Sequence, residues 1–384
     1  MTELPRIPIQ DLVVEERTKR TFSSDADVWS LNLDQIESDS GRILARVMVH
    51  PKALGPSTYP FESGTVLYSK LRPYLNKVVV ADADGYATTE LVPVKCDETR
   101  VLPSYLAYFL RSPEFLNFAN TVVAGAKMPR MVMGEFWSYK VPLPPLTEQR
   151  RIAAILDQAD ALRAKRRETL AQLEKLKQSI FLDTFGDLFL NTNGYPISKL
   201  GDICDVRDGT HDSPKYFSEG YPLVTSKNLR DGKIDLTEAN LISEEDYIAI
   251  NKRSKVDMGD ILMPMIGTIG NPVLVEFSPE FAIKNMALIK FSNESPSRQF
   301  ILSYLGSNSF DKFIERKNKG GTQKFLALGE IRALSIPLPP KSLQEKFSEL
   351  LLNLNKHRNI LANALRESDV LFQSIQYRAF KGEL

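Results

Sequence analysis

The sequence repeats itself at a spacing of 195 residues, and this limits the possible folds more than any other feature. Val141-Pro142-Leu143-Pro144-Pro145 returns as Ile336-Pro337-Leu338-Pro339-Pro340. The same shift pairs Gly134-Glu135 with Gly329-Glu330, Gln149 with Gln344, Gln178-Ser179-Ile180 with Gln373-Ser374-Ile375, and Phe185 with Phe380. Upstream it pairs Gly64 with Gly259, Leu67 with Leu262, Asn76 with Asn271, Ala87 with Ala282, and Phe115 with Phe310. No gap is needed from Gly64 onward. Before it the match drifts, and Ile9 and Leu12 fit Leu200 and Ile203 at a shift of 191. Solenoid repeats run about 20–50 residues. A period this long is the duplication of a whole domain with its linker helix.

Each copy ends in a long amphipathic helix. Thr147 and Ser342 follow the Pro-Pro pairs and suit an N-cap, while the prolines hold the entering chain extended. Glu148 adds a carboxylate at the positive end of the first helix. No Gly or Pro interrupts 147–183 or 342–380, so each helix is about 55 Å long at 1.5 Å per residue. Ile152, Ile155, Ala159, Leu162, Leu173, Leu176 and Ile180 follow steps of three and four in the first. Phe347, Leu350, Leu354, Leu361, Ala364, Leu371 and Ile375 do so in the second. This is a coiled-coil seam of about five heptads. Arg166 and Thr169 interrupt the first seam, His357 and Ser368 the second. They read either as partly solvated positions or as a register device in an antiparallel pair. Two like helices, one central and one terminal, most simply pair with each other. Antiparallel pairing would place two similar heads at opposite ends of a rigid ruler, about an approximate two-fold axis.

The expected fold class is therefore α+β: two similar globular domains separated by two long antiparallel coiled-coil helices. The expected division is a first head at 1–146, a central helix at 147–187, a second head at 188–341 and a terminal helix at 342–384. In the heads, Lys77–Ala81, Leu91–Lys95, Val273–Val275 and Met286–Lys290 have the β-branched content and turn borders of strands. Ser104–Arg111 and Gln299–Leu305 read as helices.

Composition narrows the function. The 43% hydrophobic content is that of a soluble globular chain, and no apolar run reaches membrane-spanning length. Met1–Arg6 lacks the apolar core of a signal peptide, and the two cysteines, Cys96 and Cys204, are far apart. A cytoplasmic protein without disulfides is expected. Three histidines and two cysteines, none clustered, provide no metal site. The net charge of +1 does not announce a nucleic-acid binder, although basic residues gathered on one face and balanced elsewhere would serve. The sequence holds no Walker-type loop, no Asn/Asp-Pro-Pro-aromatic tetrapeptide of the amino-methyltransferases, and no spacing that suggests a nucleophile with a histidine base. No catalytic residues are assigned, and an enzyme built on this chain alone is disfavoured.

The heads do contain loops of base-reading residue types. In the first head these are Lys70, Arg72 and Tyr74, and Gly125–Arg130 with Lys127 and Arg130. In the second they are Gly209-Thr210-His211-Asp212 and Lys319–Lys324 with Thr322, Gln323 and Lys324, joined by Lys227 and Thr268. Lys and Arg meet phosphates, while Arg, Asn and Gln can pair with base edges. Singly, each is an ordinary polar loop. At equivalent places of a duplicated molecule they form a DNA-reading hypothesis, with a coiled-coil protein scaffold that never touches DNA as its alternative.

Val141–Ile152, Phe181–Asp187, Leu200–Ile203, Gly209–Pro214 and Ala379–Leu384 together resemble the specificity subunit of type I restriction–modification systems. The resemblance spans essentially the whole chain. It departs in the first head, which lacks a clear counterpart of Gly209-Thr210-His211, and at Lys341-Ser342-Leu343, which replaces Leu146-Thr147-Glu148 but keeps Gln344. The resemblance implies a non-catalytic subunit with two target-recognition domains, each reading one half of a split double-stranded DNA site. The helices would set the gap, and half-sites one turn apart have centres roughly 34 Å apart. It further implies two docked modification subunits, which bind S-adenosylmethionine and methylate adenine, and restriction subunits that can join. The chain itself would carry no cofactor. Lys70 and Arg72 stand where the second head has Met265 and Gly267, so an asymmetric site is expected.

Overall fold

The computed structural model describes residues 4–14, 26–55, 57–230, 232–266, 269–317 and 325–384. The chain forms two compact units. The first comprises 1–168 and 361–384, the second 169–360. Each long helix, Leu146–Phe185 and Lys341–Lys381, is thus shared between the units, and the helices form no unit of their own.

In the first unit, a four-stranded sheet runs Val47–Val49, Val28–Leu31, Gly85–Thr88, Thr58–Phe61. A three-stranded sheet runs Val78–Val80, Val66–Ser69, Leu91–Val94. The second unit repeats the second sheet at the same spacing: Ile261–Pro264 lies between Val273–Leu274 and Met286–Lys290. The helices Pro103–Leu110 and Arg298–Leu305 follow. All four sequence-expected strands and both helices are present. Val78–Val80 and Met286–Lys290 are buried on both faces, while Pro103 and the Ser297 hydroxyl start the helices.

The shift of 191 also has a structural counterpart. Arg6–Pro8 pairs antiparallel with Lys140–Pro142, and Ile197–Lys199 with Ser335–Pro337. In each unit a first strand closes onto the strand that leads into the Pro-Pro pair. The four-residue drift therefore falls between these strands and Gly64.

The helix starts differ from expectation. The helices begin at Leu146 and Lys341, so Thr147 and Ser342 lie inside the first turn. The carbonyls of Pro145 and Pro340 accept the first helical bonds, from Gln149 and Gln344 among others. A proline carbonyl can accept although its nitrogen cannot donate. The buried amides of Gln149 and Gln344 bond main-chain groups at the entries of the long helices and at the starts of the head helices. Gln149 donates to the Pro144 and Arg100 carbonyls (both 2.9 Å) and accepts from the Leu102 amide (2.9 Å). Gln344 donates to the Pro339 carbonyl (2.8 Å) and accepts from the Ser297 amide (2.9 Å). The duplicated glutamine ties each head's helix to the start of each long helix.

Within each unit the long helices run antiparallel. In the first, Arg163 meets Asp369 (2.6 Å) and lies over the Phe372 ring, while Arg166 bonds the Ala364 carbonyl (2.6 Å) and the Ser368 hydroxyl. In the second, Glu174 meets Arg358 (3.1 Å), and Phe347 packs edge-on against Phe181 and Phe185. Arg166 and Ser368, two of the seam interruptions, thus bond each other, which favours the register reading for that pair. His357 is exposed and bonds the Asn353 carbonyl of its own helix.

The seam itself needs correction. Ile152 and Phe347 are buried, and Ile155, Leu173, Leu354 and Leu361 are partly buried. Leu162, Leu176, Leu350 and Leu371 are exposed. The neighbours Arg163, Leu351 and Phe372 are buried instead, one residue and about 100° further round the helix. A search for apolar residues passes over Arg163, Ser368 and Gln376, which hold seam places through hydrogen bonds and an aromatic face. The core of the first unit joins Tyr105, Phe109 and Phe115 to Phe372 and Phe380 of the terminal helix. That of the second joins Phe300 and Phe310 to Phe181, Phe185 and Phe347.

Candidate nucleic-acid interface

The buried strand Val66–Ser69 ends at Lys70, and the chain then turns tightly through Pro73–Leu75. Arg72 and Asn76 both take left-handed backbone angles (φ 49°). For non-glycine residues this is a strained conformation, which the surrounding structure must hold. The Arg72 amide is held by the Pro129 carbonyl (2.7 Å), Met131 donates to Lys70 (2.8 Å), and Leu71 bridges Arg130. The two loops singled out in the first head, some 55 residues apart in sequence, are therefore joined edge to edge. Lys70 is half-buried, while Arg72, Tyr74, Lys127 and Arg130 are exposed.

Arg130 is not an unengaged cation. Its Nε and Nη2 form a fork with the Glu90 carboxylate (2.8–3.1 Å). That hydrogen bonding holds Glu90 below the usual carboxylate range and raises Arg130.

The second head builds the same junction. Ile266 bridges Phe325, and Leu326 donates to Met265 (2.9 Å). Each bond lies 195 residues from its counterpart in the first head. Thr268, Thr322, Gln323 and Lys324 lie outside the described residues, as do Gly267 and 319–321. Thr210 and His211 are described. The Thr210 amide donates to Ile283 and its carbonyl accepts from Asn285 (both 3.0 Å). His211 sits between two acceptors, Nδ1 on the Asn285 Oδ1 and Nε2 on the Asp208 carboxylate (both 2.9 Å). Two oxygens favour a ring protonated on both nitrogens, and His211 is raised from its ordinary value, first by Asn285 and then by Asp208. Asp208 also binds Arg253 (3.0 Å). Lys227 stands on another turn, Ser226–Asn228, closed by Thr225 and Asn228. In the first head the strand partner of this region stops at Val14 beside Lys95, and residues 15–25 lie outside the described residues.

Gly209 is needed for space rather than for its backbone angle. A Cβ there would lie 2.3 Å from the Ile283 carbonyl oxygen and 2.6 Å from its carbon. Both are main-chain atoms with no rotamer to yield. Gly209→Ala is expected to destabilise the second unit by about 1–3 kcal/mol, the usual cost of overpacking. A fall in the urea midpoint would show it, and an unchanged midpoint would mean that the strands move apart freely.

Sequence reading missed Glu90, Asp208, Arg253, Lys284 and Asn285. One signal was available: Glu90 and Asn285 are themselves 195 residues apart. Burial pushes the Cys96 thiol up to about 12 and Cys204 up to about 11, opposite to an activated nucleophile. Among the described residues, no group of three or more His, Cys, Asp or Glu could hold a metal ion. No helix among them is long and apolar enough to cross a membrane.

Comparison with known proteins places this duplicated chain in a family. The model of the type I restriction modification DNA specificity domain matches residues 56–175 and 193–368, and the chain belongs to that family. It is 26% identical over 156 residues to the EcoDI specificity subunit of Escherichia coli, covering 40% of this chain and 34% of that one. It is 24% identical over 317 residues to the Escherichia coli EcoBI specificity subunit, covering 71% and 64%. The matches thus span from about a third to just under two thirds of these curated relatives. Among solved structures, a chain from a type I R-M system studied for complex assembly and conformational transition superposes with a TM-score of 0.60 at 20% identity, covering all of both chains. The type I S subunit from M. genitalium gives 0.56 at 16% identity, covering 98% and 96%. These likenesses show the fold.

Proposed function

We propose that this chain is the non-catalytic sequence-reading subunit of a type I restriction–modification assembly in the cytoplasm. Each head reads one half of a two-part site on double-stranded DNA, and the helix pair sets the gap. Two adenine-methylating subunits, which carry the S-adenosylmethionine, dock on it, as do restriction subunits in systems that have them. The observation that carries this reading is the loop junction, two of whose main-chain contacts recur at 195 residues among the described residues, with different side chains mounted on it. Equivalent scaffolds with unlike side chains suit two readers of unlike sequences. Lys70 and Leu71 stand opposite Met265 and Ile266, and Glu90 opposite Asn285, so the site is asymmetric. The exposed leucines Leu162, Leu350 and Leu371 supply apolar surface for the docked subunits.

Methylome sequencing with and without the gene tests this reading. One split adenine-methylated motif should vanish on deletion. If none does, the chain is not the reader, and the scaffold alternative gains. Complexes of a scaffold would also lack the steep salt dependence that phosphate contacts impose.

A further inference from the structure

We propose that Glu90 and Asn285 are equivalent positioning residues, one per head, each governing how a reading side chain of its own head is presented to DNA. This rests on the DNA-reading function above and adds two residues that the loop composition did not indicate.

The two occupy one place in the duplicated fold. Each immediately precedes a strand of the sheet repeated at 195 residues, Leu91–Val94 or Met286–Lys290. Each carbonyl accepts from the residue after the central strand, Lys70 to Glu90 (3.0 Å) and Met265 to Asn285 (3.1 Å). The corner is therefore fixed to the loop junction by its main chain, and its side chain is left to act on whatever faces it. In the first head that is Arg130, whose Nε and Nη2 are occupied by Glu90. A guanidinium so engaged cannot offer those donors to the paired acceptors of a guanine, and its charge is locally neutralised. In the second head it is His211, held in a fixed ring orientation between Asn285 and Asp208. Asn285 is in the left-handed region (φ 53°), which asparagine tolerates better than most residues. Asp208, Arg253 and Lys284 complete the charged surroundings, Lys284 through the Ser213 hydroxyl (2.5 Å).

The test uses the complete methyltransferase complex. Glu90→Gln keeps the size and one oxygen but loses the second oxygen and the charge, releasing Arg130. Methylome sequencing should show altered or relaxed base preference in one half of the split motif, with the other half unchanged. The slope of log K against log salt should steepen by about 0.9, one phosphate contact, and the double variant Glu90→Gln, Arg130→Gln should return it. Asn285→Ala should alter only the opposite half, and Asn285→Asp, which keeps an oxygen toward His211, should restore it. A purely structural role would change neither the base preference of one half nor the salt slope. The proposal is overturned if the folded variants, checked by thermal melting, keep both preferences and the slope, or if one substitution changes both halves. Loss of folding in Asn285→Ala leaves the Glu90 pair to decide. A deletion that removes no split motif would instead sink the DNA-reading function itself, so the two failures are distinct.

Discussion

Replacing Gln149 with methionine is expected to lower the stability of the first unit by about 2–4 kcal/mol, from one buried and two part-buried main-chain groups that lose the amide, a fully buried one costing about 1–3 kcal/mol. The Gln149 side chain is fully buried, and its amide satisfies the Leu102 N–H and the Pro144 and Arg100 carbonyls at once. Methionine fills a similar volume, so packing changes little and the lost hydrogen bonds dominate. The amide orientation follows from its partners, since two carbonyls need a donor and one N–H needs an acceptor. Both tryptophans, Trp29 and Trp137, belong to the first unit, so their fluorescence follows its unfolding. The fluorescence midpoint in urea should fall for Gln149→Met. For Gln344→Met the change should appear by circular dichroism or amide exchange in 169–360. An unfolding free energy from fluorescence within about 0.5 kcal/mol of wild type would show that water replaces the amide at little cost.

The second large effect concerns Phe347. Its ring is fully buried and packs edge-on against Phe185 (4.9 Å) and Phe181 (5.6 Å), which arrive on the other long helix. Truncation to alanine removes the transfer energy of a phenyl group and leaves a cavity between two helices and a head, at a cost of about 3–5 kcal/mol. Leucine, which refills part of the space, should recover much of it. Exchange protection of amides in the second unit reads this directly. Unaltered protection in Phe347→Ala would mean that the cluster collapses around the gap. By contrast Leu350→Ala, on the exposed face, should stay within about 0.5 kcal/mol in the isolated chain.

These two residues also show what a reader of the sequence could and could not know. Gln149 and Gln344 stood out as an exact repeat, but no pattern said that their amides would cap the head helices. A capping search looks for Ser, Thr, Asp or Asn and stops at Thr147 and Ser342. Phe347 was read correctly because a large apolar residue at seam spacing has one plausible destination. Leu350 and Leu371 were misplaced by the same logic. Helix periodicity fixes a face only to within one residue when polar side chains such as Arg163 and Ser368 share it.

The loops divide in the same way. Residue type marked Arg72, Arg130 and His211 as candidates, and the structure brings Arg72 and Arg130 to one junction. Whether a guanidinium is available or already paired depends on Glu90, some 40 residues away in sequence. That is a contact between segments, invisible to local composition.

The sequence by itself determined the duplication, the two long helices with their Pro-Pro entries, four strands and two helices of the heads, and the family. All of these are local or periodic signals that survive without a partner. Tertiary structure alone decided which helix residues face inward, how Gln149 and Gln344 close each head, and which polar groups meet at the loop junctions. Those choices rest on hydrogen bonds and packing between residues distant in the chain, where a buried polar group is tolerated only if the fold supplies its partner.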